Sequence, residues 1–379
     1  MAIYLDNAAT TPIAPEVIEA MLPVLKDGFG NPSSTHSFGR KSKAILETSR
    51  RSIAKHINAL PSEIIFTSGG TEADNIAINS AVLIMGVKRI ITTTLEHHAV
   101  GHAASAVAKQ FGAQIEIVNS DDKGNVDLNH LETLLQDDIK TMVSLMHGNN
   151  EIATLLPLKK VSVLCRKYDA LFHSDTVQTM GHYVFDVQDL DIDYVTCSAH
   201  KIHGPKGIGF LYVNNNVRVE PLIHGGSQER GFRGGTENIY GIVGLAKAMD
   251  LAHDDMEGHQ KHIQDLKTHL MNELMTYFSD VQFHGETSPE KSLYTVINVC
   301  FPKTAKSSML LFTLDLKGIA VSGGSACTSG ASKGSHVLEG INADMTRPNA
   351  RFSFSRYTTM EEINYALDQV KAVYEKTLA

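Results

Sequence analysis

Between Glu63 and Val213 the chain alternates short β-rich runs with stretches whose apolar positions recur at helical spacing. The candidate strands are Ile64–Thr67, Arg89–Thr94, Ile115–Val118, Met142–Met146, Leu171–Ser174, Tyr194–Cys197 and Ile208–Val213. Among the intervening segments, Leu158, Val161, Leu164, Cys165 and Tyr168 fall on one helical face. Strands alternating with helices predict an α/β fold with a large, mostly parallel seven-stranded sheet covered on both faces. In such a sheet the ligand sits beyond the carboxyl ends of the strands.

Ahead of this region, Ala44, Ile45, Ile53 and Ile57 mark a helix that fades near Pro61. From Asp254 to His259 the chain turns polar, which suggests a boundary. Beyond it, Ile263, Leu266, Leu270, Leu274 and Phe278 form a long amphipathic stripe. A strand over Leu293–Cys300, a helix near Ser308–Leu316 and a last helix from Met360 complete a smaller α+β unit. The expected division is a large domain over residues 9–255 and a small one built from residues 1–8 and 256–379.

At 379 residues, 42% hydrophobic and 20% charged, the chain reads as a soluble globular protein able to bury a core without disulfides. Its net charge of −8 argues against nucleic acid or an anionic membrane as the main partner. The start carries neither the basic segment nor the apolar run of a secretory signal, and no apolar stretch is long enough to span a bilayer. Four scattered cysteines without a C-x-x-C pair disfavour a zinc site; no metal is expected, and the thiols fit a reduced, cytoplasmic setting.

The candidate chemistry gathers at the predicted strand ends. Lys201 follows the run Tyr194–Cys197 and precedes the Gly204–Gly207 turn, with Lys206 as its local competitor. A lysine that condenses with a carbonyl must lose its proton, and a buried cleft favours that loss. Asp175 closes another run; it suits a protonated pyridine nitrogen, or else caps a helix. Gln178 would then donate to a ring oxygen. Gly70 and Thr71 open a helix after the strand Ile64–Thr67, so their N–H groups and the Thr71 hydroxyl suit a phosphate. Ser198 and His200 flank Lys201 as further phosphate donors. His97 and His98 both end the Arg89–Thr94 strand, and either could stack on a ring and relay protons. Cys327 lies in a glycine-rich segment, about residues 322–334, whose glycines would let a thiol move. This inventory suits pyridoxal 5'-phosphate and sulfur chemistry on an amino acid.

With these residues in place, the chain resembles the NifS/IscS-like cysteine desulfurases, a class V aminotransferase branch of the fold-type I pyridoxal-phosphate enzymes. The resemblance rests on Tyr4–Pro12, Gly30–Ser34, Ser68–Glu72, Met146–Ile152, His173–Gln178, Ser198–Lys201, Arg233–Asn238, Gly324–Ser329 and Arg351–Ser353. It implies Lys201 as the cofactor lysine, Asp175 at the pyridine nitrogen, Gln178 and Asn150 near the ring oxygen, and His97 stacked on the ring. Gly70, Thr71, Ser198 and His200 would hold the phosphate, with Thr236 reaching in from the second subunit of a homodimer. Asn31, Asn150 and Arg351 would bind the L-cysteine substrate, and Cys327 would accept its sulfur as a persulfide. The implied partner is a sulfur acceptor, either an iron–sulfur scaffold or a tRNA-thiolation enzyme. Competing readings are a selenocysteine lyase or another β-eliminating or aminotransferring relative, and a non-catalytic binding module on the same fold.

Overall fold

The computed structural model describes residues 2–304, 309–323 and 334–375; Cys327 and most of its glycine-rich segment lie outside them. After the short strand β1 (Ile3–Tyr4), the chain builds β2 (Ile64–Thr67), β3 (Arg89–Thr92), β4 (Gln114–Ile117), β5 (Thr141–Ser144), β6 (Leu171–Asp175), β7 (Tyr194–Ser198) and β8 (Gly209–Val213). These last seven form one sheet in the order β2-β8-β7-β6-β5-β3-β4. Only β8 runs against its neighbours β2 and β7, so the sheet is mostly parallel.

Strand alternation divides the apolar side chains between two helical layers. Ile64, Phe66, Ile91, Val143, Val195, Cys197, Phe210 and Tyr212 join one core cluster with the helices Ser37–His56, Leu158–Lys167 and Ile239–Asp254. Their neighbours Ile65, Ile90, Met142, Tyr194, Leu211 and Val213 face the helices Gly70–Leu83 and His98–Phe111. Covering both faces explains why the central strands read as continuous apolar runs.

The second face changes character toward the carboxyl ends. Along β5 Met142 gives way to Ser144, along β6 Leu171 to His173 and Asp175, and along β7 Tyr194 to Thr196 and Ser198. The register pairs Ser144 with His173 and Asp175 with Thr196. A buried polar row therefore crosses the middle of the sheet where the α/β rule places a ligand.

Another apolar cluster lies apart from these two. It combines Ile3 and Leu5 with Ile263, Leu266, Leu270, Leu274 and Phe278, and with residues of the helix Met360–Glu375. The strands here are β9 (Gln282–His284), β10 (Val296–Cys300), β11 (Ile319–Ala320) and β12 (Asn349–Ser353). They pair as β12-β10-β9 and as β1-β11.

The polar stretch near Asp254 is shorter than a linker. A single residue, Asp255, separates the helix Ile239–Asp254 from Met256–Tyr277, and its side chain accepts the Gly258 N–H at 3.3 Å as an N-cap. Among the described residues, no helix is long and apolar enough to cross a membrane.

Leu274 is fully buried in that separate cluster. Leu274→Ala should lower the unfolding free energy by about 2–5 kcal/mol in chemical denaturation, the range for a buried leucine. A loss below about 1 kcal/mol would show that the stripe is not a packed core.

Candidate active site

The polar row opens into a cavity of about 240 Å3. Lining it are Gly70, Thr71, His97, Asn150, Asp175, Gln178, Ser198, His200, Lys201 and Arg351, all predicted from the sequence. An adjoining cleft shares Gly70, Thr71, Ser198 and His200, and adds Lys206. Lys201 thus reaches the cavity beside Asp175, while Lys206 lies along the outer cleft.

Lys201 sits in the one-turn helix Ala199–Lys201 that ends β7. Its Nζ donates to the carbonyls of Ala8 at 2.5 Å and Ala9 at 2.9 Å. Gln178 Nε2 donates to the same Ala8 carbonyl at 3.0 Å. The first residues of the chain therefore form one wall, which side-chain motifs could not reveal because the contacts are to backbone.

Asp175 ends β6 and is 6% exposed; its Oδ1 accepts the Val177 N–H at 2.9 Å. The chain turns after it without forming a helix, so the N-cap alternative is not realised. Burial pushes its carboxyl up to about 6, Asp74 adds to the rise, and His97 opposes it.

Asp74 is the second acid of the site and was not anticipated. It lies inside the helix Gly70–Leu83, away from any turn or strand end, so no local signal marks it. It is 1% exposed, and among the described residues its oxygens find no well-aligned donor, although His173 Nε2 stands 3.3 Å from Oδ1 and the Thr196 hydroxyl is near enough to oppose the rise in its pKa. Burial pushes Asp74 up to about 7. His173 contacts Ser144 Oγ at 2.8 Å through Nδ1 and Thr196 Oγ1 at 3.2 Å through Nε2, and burial pushes it down to about 4.

His97 caps the helix His98–Phe111, its Nδ1 accepting the Ala99 N–H at 3.2 Å. Burial lowers its pKa, with Asp175 opposing and Lys201 assisting, so a neutral ring faces the cavity. His98 lines the wall too, but its ring lies against His102 at 4.9 Å and His336 at 4.4 Å. Asp175 and Lys201 act on His97, whereas His98 is shifted by burial and by His336 and His102.

At the other end, Gly70 and Thr71 begin their helix with N–H groups that have no intrahelical partner. Gly69 has φ 151°, and a side chain on Gly209, the first residue of β8, would meet its Cα at 2.9 Å, so the turn needs glycine at both positions. His200 Nδ1 contacts Thr10 Oγ1 at 3.2 Å, and burial pushes its ring down to about 4.

Arg351 comes from β12. Its Nη1 donates to the Asn150 carbonyl at 2.9 Å and its Nη2 to Asp6 Oδ1 at 2.8 Å, while the buried Nε has no partner among the described residues. Asn31 and Thr236 do not line the cavity. Asn31 Oδ1 accepts the Ser33 N–H at 2.9 Å in a loop, and Thr236 lines a separate groove with Ser68 and Arg233. Cys327 lies outside the described residues. Met146, Glu151, Val177 and His336 join the lining without having been predicted.

A mostly parallel sheet with a lysine after β7, an acid closing β6 and a helix N-terminus between β2 and β3 is consistent with the fold-type I class of pyridoxal-phosphate enzymes. Comparison with known proteins agrees. Residues 3–366 match the model of the family Aminotransferase class-V. Cysteine desulfurase IscS of Dictyoglomus turgidum is 43% identical over 99% of this chain and 95% of its own length. Putative cysteine desulfurase IscS 1 of Bacillus subtilis is 40% identical over 99% of both chains. A solved NifS-like protein superposes with a TM-score of 0.91 at 35% identity, covering 99% of this chain and 100% of that one. The chain belongs to the class V aminotransferase family, within its NifS/IscS-like cysteine desulfurases.

The Asp74 carboxyl gives a pH test in the cofactor-free protein. Its folded pKa is raised from 3.8 to about 7, so the stability it contributes is full below pH 4 and lost as pH rises through 7. Asp74→Asn, which cannot ionise, should gain on the wild type by about 1–3 kcal/mol between pH 4 and pH 8. Denaturant titrations at the two pH values would read this difference, and a gap that does not change with pH would refute it.

Proposed function

We propose that the protein uses pyridoxal 5'-phosphate to convert L-cysteine to L-alanine, and that Cys327 carries the sulfur as a persulfide to an acceptor protein. The observation that carries this reading is one continuous cleft that joins Lys201, Asp175 and His97 to the helix start at Gly70 and Thr71. The donor set fits the cofactor at both ends. Asp175 is a buried acid that a pyridinium N–H would satisfy, and unpaired N–H groups with the Ser198 and Thr71 hydroxyls suit a phosphate.

When bound, the cofactor supplies an electron sink for the charge left by loss of the substrate α-proton. Lys201 Nζ would hold the cofactor and then move that proton, while His97, kept neutral by burial, could hold or return one at its ring nitrogen. Arg351 Nε, without a partner among the described residues, would take the substrate carboxylate and fix its orientation. The Cys327 thiolate would attack the substrate sulfur: an S–S bond forms, the carbon–sulfur bond breaks, and the carbon takes a proton to become alanine.

The sulfur would pass to an iron–sulfur scaffold or a tRNA-thiolation enzyme. Supporting a homodimer, Ile18, Leu22, Leu25, Phe29 and Phe38 are exposed together, with the Phe29 and Phe38 rings 5.2 Å apart. A second copy would also bring Thr236 to a neighbouring phosphate site. The unbridged thiols of Cys165, Cys197 and Cys300 support a cytoplasmic location. The separate apolar cluster supports the division into residues 9–255 and a small domain from residues 1–8 and 256–379.

L-Cysteine with a reductant should yield alanine and sulfide in equal amounts. Lys201→Ala should cut both by about 10²–10⁴-fold, the effect of removing a positioned proton-transfer group. Cys327→Ala should abolish sulfide while leaving cofactor and substrate binding intact. Alanine formed without sulfide by the wild type would defeat the proposal. Replacing Phe29 and Phe38 together by glutamate should halve the mass seen by light scattering, and an unchanged mass would remove that face from the dimer.

A further inference from the structure

One loop, residues 224–238, grips the candidate phosphate turn from behind on both flanks. On the near side, the Glu229 carboxylate accepts from Arg50 Nη1 at 2.8 Å and Nη2 at 2.7 Å, and from the Phe66 N–H at 2.9 Å. Both charged side chains are buried, at 2% and 3% exposure. On the far side, Arg233 Nε donates to Glu72 Oε1 at 2.9 Å, and the other Glu72 oxygen accepts the Ser68 N–H at 2.7 Å. Phe66 precedes the turn and Glu72 follows it, so Ser68, Gly69, Gly70 and Thr71 are held between two ion pairs.

The loop adopts an unfavourable backbone to make these contacts. Glu229 and Arg230 have φ of 44° and 60°, a left-handed conformation that non-glycine residues seldom take. Arg230 is tied down by donating to the carbonyls of Ser62 at 2.6 Å and Pro61 at 3.0 Å.

Glu72 poses an electrostatic problem for a phosphate site. Its carboxylate lies in the first helical turn, where an incoming phosphate needs the same N-terminal field. Burial acts to raise its pKa, but donation from Arg233 and Ser68 overcomes this and holds it low. An anion is thus fixed beside a site for another anion, and Arg233 is the cation that cancels it.

We propose that Arg233 is a positioning residue for the cofactor: it neutralises Glu72 and, with Glu229, sets the phosphate turn without touching the phosphate. This rests on the pyridoxal-phosphate reading above and adds to it a control of phosphate affinity from outside the cavity.

The test is to titrate the full-length, cofactor-free protein with pyridoxal 5'-phosphate and with unphosphorylated pyridoxal, following absorbance. Arg233→Ala should bind the phosphorylated compound about tenfold more weakly, the size of one charge-assisted contact, with pyridoxal unaffected. Glu72→Gln should bind at least as well as the wild type. The double variant should recover to within about threefold of it, as should Arg233→Lys. The proposal is overturned if Arg233→Ala matches the wild type, if the double variant stays as weak as Arg233→Ala, or if pyridoxal loses equally. A wild type that does not prefer the phosphorylated compound would instead overturn the phosphate reading of the turn, and this proposal with it.

Discussion

The cleft is organised around a carboxyl group buried at the end of β6. Asp175 sits where the sheet face turns from apolar to polar, beside Asp74 and within the field of Glu96, whose own carboxyl burial pushes well above its ordinary value. Three acids this close, with little solvent, do not all ionise. Burial raises the carboxyl pKa of all three, so each additional charge in this group is costly. The same burial lowers the His97 pKa, which favours a neutral ring beside these acids.

The strands were legible because their residues alternate between two apolar layers; all seven fall within a few residues of their predicted positions. The helix Ile239–Asp254 was not. It is buried nearly all round, with Gly241, Gly244, Ala246, Ala248 and Ala252 against its neighbours, so it lacks the polar stripe that makes a surface helix visible. The helix Pro15–Asp27 was missed for another reason. Ile18, Leu22 and Leu25 on it are exposed, so its apolar pattern does not describe one buried face.

The same contrast holds in the site. Lys201, Asp175, Gly70 and Thr71 stand at strand ends or turns, where a residue's place in the cleft follows from local pattern. Asp74 stands mid-helix, the Ala8 and Ala9 carbonyls are backbone, and Arg233 meets Glu72 across 161 positions of chain. Such contacts depend on how distant segments come together, which periodicity cannot express. Asn31 and Thr236 mark the converse: both were named through resemblance alone, and neither reaches the cavity of a single chain.

Arg351 joins the apolar clusters to the chemistry. Its strand β12 belongs to the cluster of Ile263 and Leu274, yet its guanidinium reaches the carbonyl of Asn150, beyond β5, and the carboxylate of Asp6, beyond β1. At 1% exposure, a guanidinium whose Nε has no partner among the described residues has a hydrogen bond still to make, and such a donor is costly to leave empty. Two of its three nitrogens are spent on holding the elements in register. The third is therefore oriented before any ligand arrives, and a substrate carboxylate placed there would gain a contact whose ordering cost folding has already met.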